Sequence, residues 1–316
     1  MIRQLGIPYM GSKRKLAPRI LDSILERHPT CEHIYDLFGG GGAFSLYAIQ
    51  HPQIKTVHYN DFDAGIVNLM KKLLTDGVTA EFYEWVSRET FHEHRLDESL
   101  YGGFLKTCWS FGSNHRQYIY GKHIEEYKHL AHNAVIFKDI ESLKAIHENI
   151  DLSIIDSDDM HTRRLKLKTW CRLNKLPRRV EHLTNIQCLE RLQHLEHIER
   201  LQHLEHIDKN QPATSGLQIT NLSYADVLIN HDVDNTIIYC DPPYKNTAQY
   251  SVNLNHDEFY DFVNNSKYTI YVSSYESPLH LVESWDHREI MSKYNNKVKE
   301  NLYCNKIIPH GTQLLY

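Results

Sequence analysis

Three observations predict an α/β fold with a mostly parallel sheet, helices on both faces and a long, mainly helical insertion. Short apolar runs alternate with amphipathic stretches in the first 75 or so residues, and four consecutive glycines follow the first apolar run. The alternation stops near residue 80 and resumes near residue 215. The core is therefore expected from residues 1–80 and 215–316. Residues 81–214 form the insertion, which the scaffold itself does not need and which is expected to serve recognition.

The elements follow in order. Lys13 to Arg27 places Leu16, Ile20, Leu21, Ile24 and Leu25 at helical spacing, which predicts an amphipathic helix. His33-Ile34-Tyr35 reads as a strand ending at Asp36, and Ala43 to Ile49 as a helix after the glycines. Thr56 to Tyr59 is a second strand and Asp63 to Leu74 a third helix. Strand, glycine loop, helix, strand is a βαβ unit, which places ligands at the C-terminal ends of the strands. Ala80 to Gly216 offers helical stretches and clusters of Tyr and His but no succession of βα units. Beyond it, Gln218 to Thr220 is a strand and Tyr224 to Ile229 a short helix; Thr236 to Tyr239 and Tyr268 to Val272 are strands.

A length of 316 residues, with 41% hydrophobic and 24% charged residues, suits a globular protein and excludes a disordered or collagen-like chain. No apolar run reaches the roughly 18 residues of a transmembrane helix, and Met1 to Ile20 lacks the apolar core of a secretory leader. Cys31, Cys108, Cys171, Cys188, Cys240 and Cys304 are widely spaced without a C-x-x-C pair, which argues against a disulfide scaffold or zinc ribbon. A reducing, cytoplasmic setting is expected. Net charge is -5, yet eight Lys/Arg and no acid lie between Arg163 and Arg179, around Trp170. This strip reads either as a phosphate-binding footprint or as a solvated face balanced by Asp156, Asp158 and Asp159.

Glu190 to Ile198 recurs perfectly as Glu199 to Ile207, over an apolar period of three that runs from Val180 to Ile207. Each three-residue step falls back about 60° on an α-helix, so these residues spiral instead of forming one face. Long 3₁₀ helices are unfavourable, and a strand would send the residues to both sides. No ordinary element is predicted. His182, His194, His197, His203 and His206 recur with the repeat but without a second ligand type, so no metal site is expected.

The chemistry concentrates in two segments. Asp241-Pro242-Pro243-Tyr244 follows the strand Thr236 to Tyr239, where two prolines can only form a rigid turn. That turn would aim the Asp241 carboxylate and the Pro242 carbonyl, both acceptors, at one point suited to an NH₂ group. Tyr244 adds a ring able to stack on an extruded base. Cys240 is expected to be a buried strand-end thiol and not a nucleophile.

The second segment is Asp36 to Phe44, whose glycines allow close backbone approach to a ligand. It departs from the dinucleotide fingerprint, because Phe44 stands where the third glycine would be. Asp61, about 20 residues on, closes the next strand where an acid accepts ribose hydroxyls. A nucleoside-bearing cofactor without a pyrophosphate fits. Phe38 reads either as packing beside it or as core.

Tyr9-Met-Gly-Ser-Lys13, Phe38-Gly-Gly-Gly-Gly42, Asn60-Asp61 and Asp241-Pro-Pro-Tyr244, in that order, resemble the Dam-type (D12 class) DNA N6-adenine methyltransferases. Cys108 to Gly121 is similar to a segment of phage-type relatives. The resemblance implies a Rossmann-like core, S-adenosylmethionine as cofactor and double-stranded DNA as substrate, with base flipping and direct in-line transfer. By it, Tyr9, Lys13, Phe38, Gly39, Gly40, Gly41, Asp61, Asp226 and Asp241 would line the cofactor site. Lys13 would lie near the cofactor's carboxylate or position an acid. Asp241, Pro242, Pro243 and Tyr244 would form the catalytic corner.

Asn114, His115, Arg116 and Gln117 could read base edges, with a polar capping loop as the other reading. Arg163, Arg164, Lys166 and Lys168 could bind phosphates. A partner restriction nuclease is compatible with such an enzyme. The competing readings are cytosine N4 methylation, a catalytically silent DNA-binding protein on the same fold, and an interaction module built on the repeat.

Overall fold

The computed structural model describes residues 5–174, 195–209, 215–244, 254–288 and 297–307. Among these, seven strands form one sheet: β1 (His33–Asp36), β2 (Thr56–Asn60), β3 (Leu217–Thr220), β4 (Thr236–Cys240), β5 (Thr269–Ser274), β6 (His280–Arg288) and β7 (Lys297–Cys304), in the order β3-β2-β1-β4-β5-β7-β6. The pairings from β3 to β5 are parallel, and those of β7 with β5 and with β6 are antiparallel. The helices are α1 (Ala17–Arg27), α2 (Ala43–Ala48), α3 (Ala64–Thr75), α4 (Arg88–His94), α5 (Leu100–Cys108), α6 (Glu125–Phe137), α7 (Ile140–Ile146), α8 (Met160–Leu173), α9 (Glu196–Lys209) and α10 (His256–Asn265).

Alternation along the strands builds two cores. Ile34, Val57, Ile237 and Tyr239 face α1 and α2, whereas Tyr35, Ile238, Cys240 and Ile270 face α10 through Phe259 and Val263. Cys240 is fully buried, and burial pushes its thiol well above the ordinary range. The expected αβ alternation is present, with local corrections. The first helix begins at Ala17 and not at Lys13, because Pro18 belongs to a first turn. Lys13 is thereby left outside the helix. Tyr224 to Ile229 is no helix: only Tyr224–Asp226 forms a 3₁₀ turn, and Val227 is extended. The α10 helix and the β6–β7 pair had no clear signal, since β6 and β7 interleave charged and apolar residues as strands near a sheet edge do.

Between α3 and β3 the described residues form α4 to α9 and short 3₁₀ turns. Part of this segment shares the core of the sheet's own helices. Phe82, Phe91, Phe104, Trp109 and Tyr120 cluster with Ile7, Leu46, Ile66 and Leu69. A further core is built on Ala134, Val135, Leu143, Leu167 and Cys171 of α6, α7 and α8.

The repeat corrects the expectation that no ordinary element fits it. Val180 to Leu192, with His182 and His194, lies outside the described residues, but Glu196–Lys209 is an α-helix. Its period-three residues do spiral, and both directions are buried. Leu195 and Ile198 enter the α6–α8 core, while Leu201 and Leu204 enter the core shared with α3 and α5. The three-residue steps carry Ile198 to Leu204 through about 120°, which is the turn a helix needs to pass from one core to the next. His197 is fully buried on the same helix, with Nδ1 bonded to Tyr120 at 2.5 Å and Nε2 to His132 at 2.9 Å.

If α9 bridges two cores, Ile198→Ala and Leu204→Ala should each destabilise by about 2–5 kcal/mol in denaturant unfolding. A one-faced helix would make one of the two nearly neutral.

Candidate active site

The strand order reverses between β1 and β4, where the connections leave toward opposite edges of the sheet. Open α/β sheets place a crevice at this switch point. The register sets Asp36 opposite Tyr239, so the glycine bend after β1 and the proline corner after β4 emerge side by side. A cavity of about 420 Å³ joins them, lined by Tyr9, Lys13, Asp36, Phe38, Gly39, Gly40, Gly41, Asp61, Asp241 and Pro243, among others.

The bend is shaped by its neighbours as much as by any ligand. A Cβ on Gly39 would lie 2.3 Å from the Tyr59 ring, and one on Gly41 would lie 2.8 Å from both Tyr9 Cβ and the Ile7 carbonyl. Asn60, fully buried, ties the surrounding loops together. Its Nδ2 donates to the Leu37 and Leu222 carbonyls at 3.1 and 3.0 Å, and its Oδ1 accepts from Thr220 Oγ1 and Leu222 N at 2.8 and 3.0 Å.

Three carboxylates face this space. Asp61 accepts the Gly40 and Asp63 amides, each at 2.8 Å, yet burial pushes it up to about 6. Asp36 accepts Ser45 Oγ at 2.6 Å on Oδ2, while its buried Oδ1 lacks a partner of normal hydrogen-bond geometry among the described residues. Burial pushes Asp36 up to about 7, with Asp241 and Asp61 adding repulsion. Asp241 is held at about 6, raised by burial, lowered by Lys13 and raised again by Glu300.

Lys13 meets an acid at the corner. Its Nζ lies 2.9 Å from Asp241 Oδ1 and 3.6 Å from Glu300 Oε1, and it donates to Tyr244 Oη at 2.8 Å. Tyr244 departs from the stacking role read from the sequence. Its hydroxyl bonds Glu300 and reaches Asp241 Oδ1 at 3.2 Å, its ring packs edge-on against Tyr275, and it is not among the residues lining the cavity. Pro242 is buried behind the wall, whereas Pro243 lines it.

Other expected residues divide. Phe38 lines the cavity and stacks on Tyr224 at 5.4 Å, so packing and lining coincide. Asp226 is exposed and lies off the wall, which its neighbours Ser223, Tyr224 and Ala225 form instead. His115 turns inward, edge-on to Tyr9 at 5.2 Å, with Nε2 buried and unpartnered among the described residues. Burial lowers it to about 4.

Asn114 caps its own loop, accepting the Arg116 and Gln117 amides at 3.0 Å, while Arg116 and Gln117 remain exposed. Arg163 is buried, donating to the Val135, Ile136, Ser157 and Asp158 carbonyls. Arg164 pairs with Glu199 at 2.5 Å. Both arginines are removed from the basic footprint, because they knit helices together. Lys166 is exposed, with Nζ on the Ser153 carbonyl, and Lys168 is half-buried; Lys175, Arg178 and Arg179 lie outside the described residues.

Sequence reasoning missed Asp36, Phe62 and Glu300. Asp36 carried a signal, an acid at a strand end before a glycine bend. Phe62, 61% exposed on the cavity rim, directly follows Asp61. Glu300 comes from β7 and had none. Arg200, within the repeat, caps the end of α5 by donating to the Thr107, Cys108 and Ser110 carbonyls, which steadies the loop that carries His115.

No curated protein matches the chain. The family model of the D12 class N6 adenine-specific DNA methyltransferases matches residues 9–308, nearly the whole length, and the sheet order and the acid-lined crevice suit it. The chain therefore belongs to the D12 class of N6 adenine-specific DNA methyltransferases and is a DNA adenine methyltransferase on a Rossmann-like fold.

Proposed function

We propose that the cavity binds S-adenosylmethionine and that the Asp241 corner receives the N6 amine of an adenine turned out of duplex DNA. The observation that carries this reading is the continuity of one cavity from the glycine bend to Asp241. Its size falls within the roughly 300–1,000 Å³ of small-molecule sites. Its chemistry supports a cationic guest: three acids with raised proton affinity share it, one with an unmatched buried oxygen.

Asp36 would face positive charge, Asp61 would accept ribose hydroxyls, and Gly39, Gly40 and Gly41 would run alongside under Tyr9. Phe62 and the Phe38–Tyr224 pair supply flat surfaces for heteroaromatic rings. S-adenosylmethionine, when bound, supplies an electrophilic methyl group. Lys13 and Tyr244 both engage Oδ1 of Asp241, and among the described residues Oδ2 carries no hydrogen bond, so the amine would meet Oδ2. A carboxylate there stabilises the positive charge that develops on N6 and accepts the proton the nitrogen must lose. Extruding the base costs a few kcal/mol.

Residues 1–80 and 215–316 are assigned to catalysis and 81–214 to target recognition. The loop with exposed Arg116 and Gln117 supports this, because its neighbour His115 reaches the cavity wall. Lys166 and Lys168 remain the phosphate-binding candidates of α8.

Asp241→Ala should lower methyl transfer to duplex DNA by about 10²–10³-fold while cofactor binding by calorimetry persists. Near-wild-type transfer by the folded variant would refute the assignment.

An acid raised on folding keeps its proton longer folded than unfolded, so these three destabilise the ligand-free protein above their unfolded range. Its stability should rise as pH falls from about 7 toward about 4. A bound cation reverses this preference. Calorimetry in buffers of different ionisation enthalpy should show proton release on S-adenosylmethionine binding near pH 6–7, and affinity rising with pH there.

Charge reversal at Arg116, Lys166 and Lys168 should weaken DNA binding and flatten its salt dependence, by about 0.9 in log–log slope for each phosphate no longer neutralised. An unchanged slope removes these residues from the footprint.

A further inference from the structure

We propose that Glu300 is a positioning residue for methyl transfer: it accepts the Tyr244 hydroxyl hydrogen bond and shares Lys13, so that Asp241 remains an acceptor for the incoming amine. This rests on the reading of Asp241 as the amine's partner.

The placement is tertiary. Because β7 runs antiparallel to β5, with Asn301 opposite Ser274, its early residues lie at the edge where the parallel strands end. Glu300 arrives there 2% exposed, a buried carboxylate that needs charge and hydrogen-bond partners to persist. It has both, in the Lys13 ammonium at 3.6 Å and the Tyr244 hydroxyl.

Proton counting defines its role. A tyrosine hydroxyl has one proton to donate, and Tyr244 lies within reach of two carboxylates. The approach to Glu300 is the closer, and that to Asp241 Oδ1 is 3.2 Å, so the proton goes to Glu300. Lys13 has three protons, of which one faces Asp241 Oδ1 at 2.9 Å and one Tyr244 Oη at 2.8 Å, with the Gly11 carbonyl at 3.4 Å. Without a charge at position 300, the tyrosine proton and the whole ammonium would turn to Asp241, which weakens it as an acceptor.

The groups facing Asp241 are Lys13 from the N-terminal turn, Asp36 from β1, Tyr239 and Cys240 from β4, Tyr244 from its own corner and Glu300 from β7. Of these, Glu300 is an anion that raises its proton affinity further, after burial and against Lys13. An uncharged anchor at position 300 would leave the titration of Asp241 unchanged.

The test is Glu300→Gln, which keeps shape and removes charge. At pH 7.5 kcat should fall by about 10–100-fold, the size of a small misplacement at the reacting centre, with the calorimetric S-adenosylmethionine Kd within about twofold of the unaltered enzyme. The acid limb of the kcat–pH profile should move to lower pH, because Asp241 loses a like-charged neighbour. Adding Tyr244→Phe to Glu300→Gln should restore part of the lost kcat, since no hydroxyl is then left to turn to Asp241.

An unmoved acid limb, or additive losses in the double variant, would overturn the proposal. Should Glu300→Gln fail to fold by circular dichroism, Glu300→Asp decides, since it withdraws the carboxylate from the Tyr244 hydroxyl: lowered kcat with unchanged cofactor Kd supports the proposal, and unchanged kcat overturns it. Failure of the wider reading would look different, since the unaltered protein would then neither bind the cofactor nor methylate adenine.

Discussion

Parallel pairing of β1 with β4 is the constraint on which the site depends. In that register both strands end on an acid at one edge, Asp36 after Tyr35 and Asp241 after Cys240, with Asp61 ending the next strand over. Three carboxylates then face one crevice, where burial raises the proton affinity of all three and Asp241 and Asp61 raise that of Asp36 further. Such an arrangement is costly in an empty site and favourable around a cation. The three acids are held in place by backbone amides on Asp61 and by Asn60, which ties together the loops after β1, β2 and β3.

The proline corner works within that frame. Asp241 and Tyr244 lie on the same short turn, yet they do different things, because Lys13 and Glu300 reach the corner from opposite ends of the chain. Lys13 can do so because Pro18 delays the first helix, and Glu300 because the last strand reverses direction. One cation between two acids, with a hydroxyl bridging them, fixes each side chain by charge as well as by packing.

Helical packing links the segment between α3 and β3 to this site. The α9 helix joins two cores by letting its apolar residues wind around the axis, and Arg200 on it closes the end of α5. From α5, Lys106 forms a buried ion pair with Asp63, whose amide holds Asp61. The following loop brings His115 against Tyr9. A shared core, and not a flexible linker, thus connects exposed Arg116 and Gln117 to the cavity.

The sequence by itself determined what local chemistry can encode. The βαβ order, the two strand-end motifs and the βα alternation on either side of residues 81–214 follow from periodicity, glycine and proline, and four motifs in order carry the resemblance to the family. Those signals act over a few residues, so they survive in one dimension. Tertiary structure decided what depends on which distant groups meet. Arg163 and Arg164 looked like phosphate ligands until carbonyls and Glu199 claimed them, and Tyr244 looked like a stacking ring until Glu300 held its hydroxyl. The repeat defied every single-faced template because two different cores bury it, and β7 delivered a buried acid whose sequence neighbours are polar. A charge or ring has the same letter whether it faces water, a partner or a cavity. Only tertiary packing distinguishes them, since burial and pairing are set by chain segments that lie beyond the reach of local patterns.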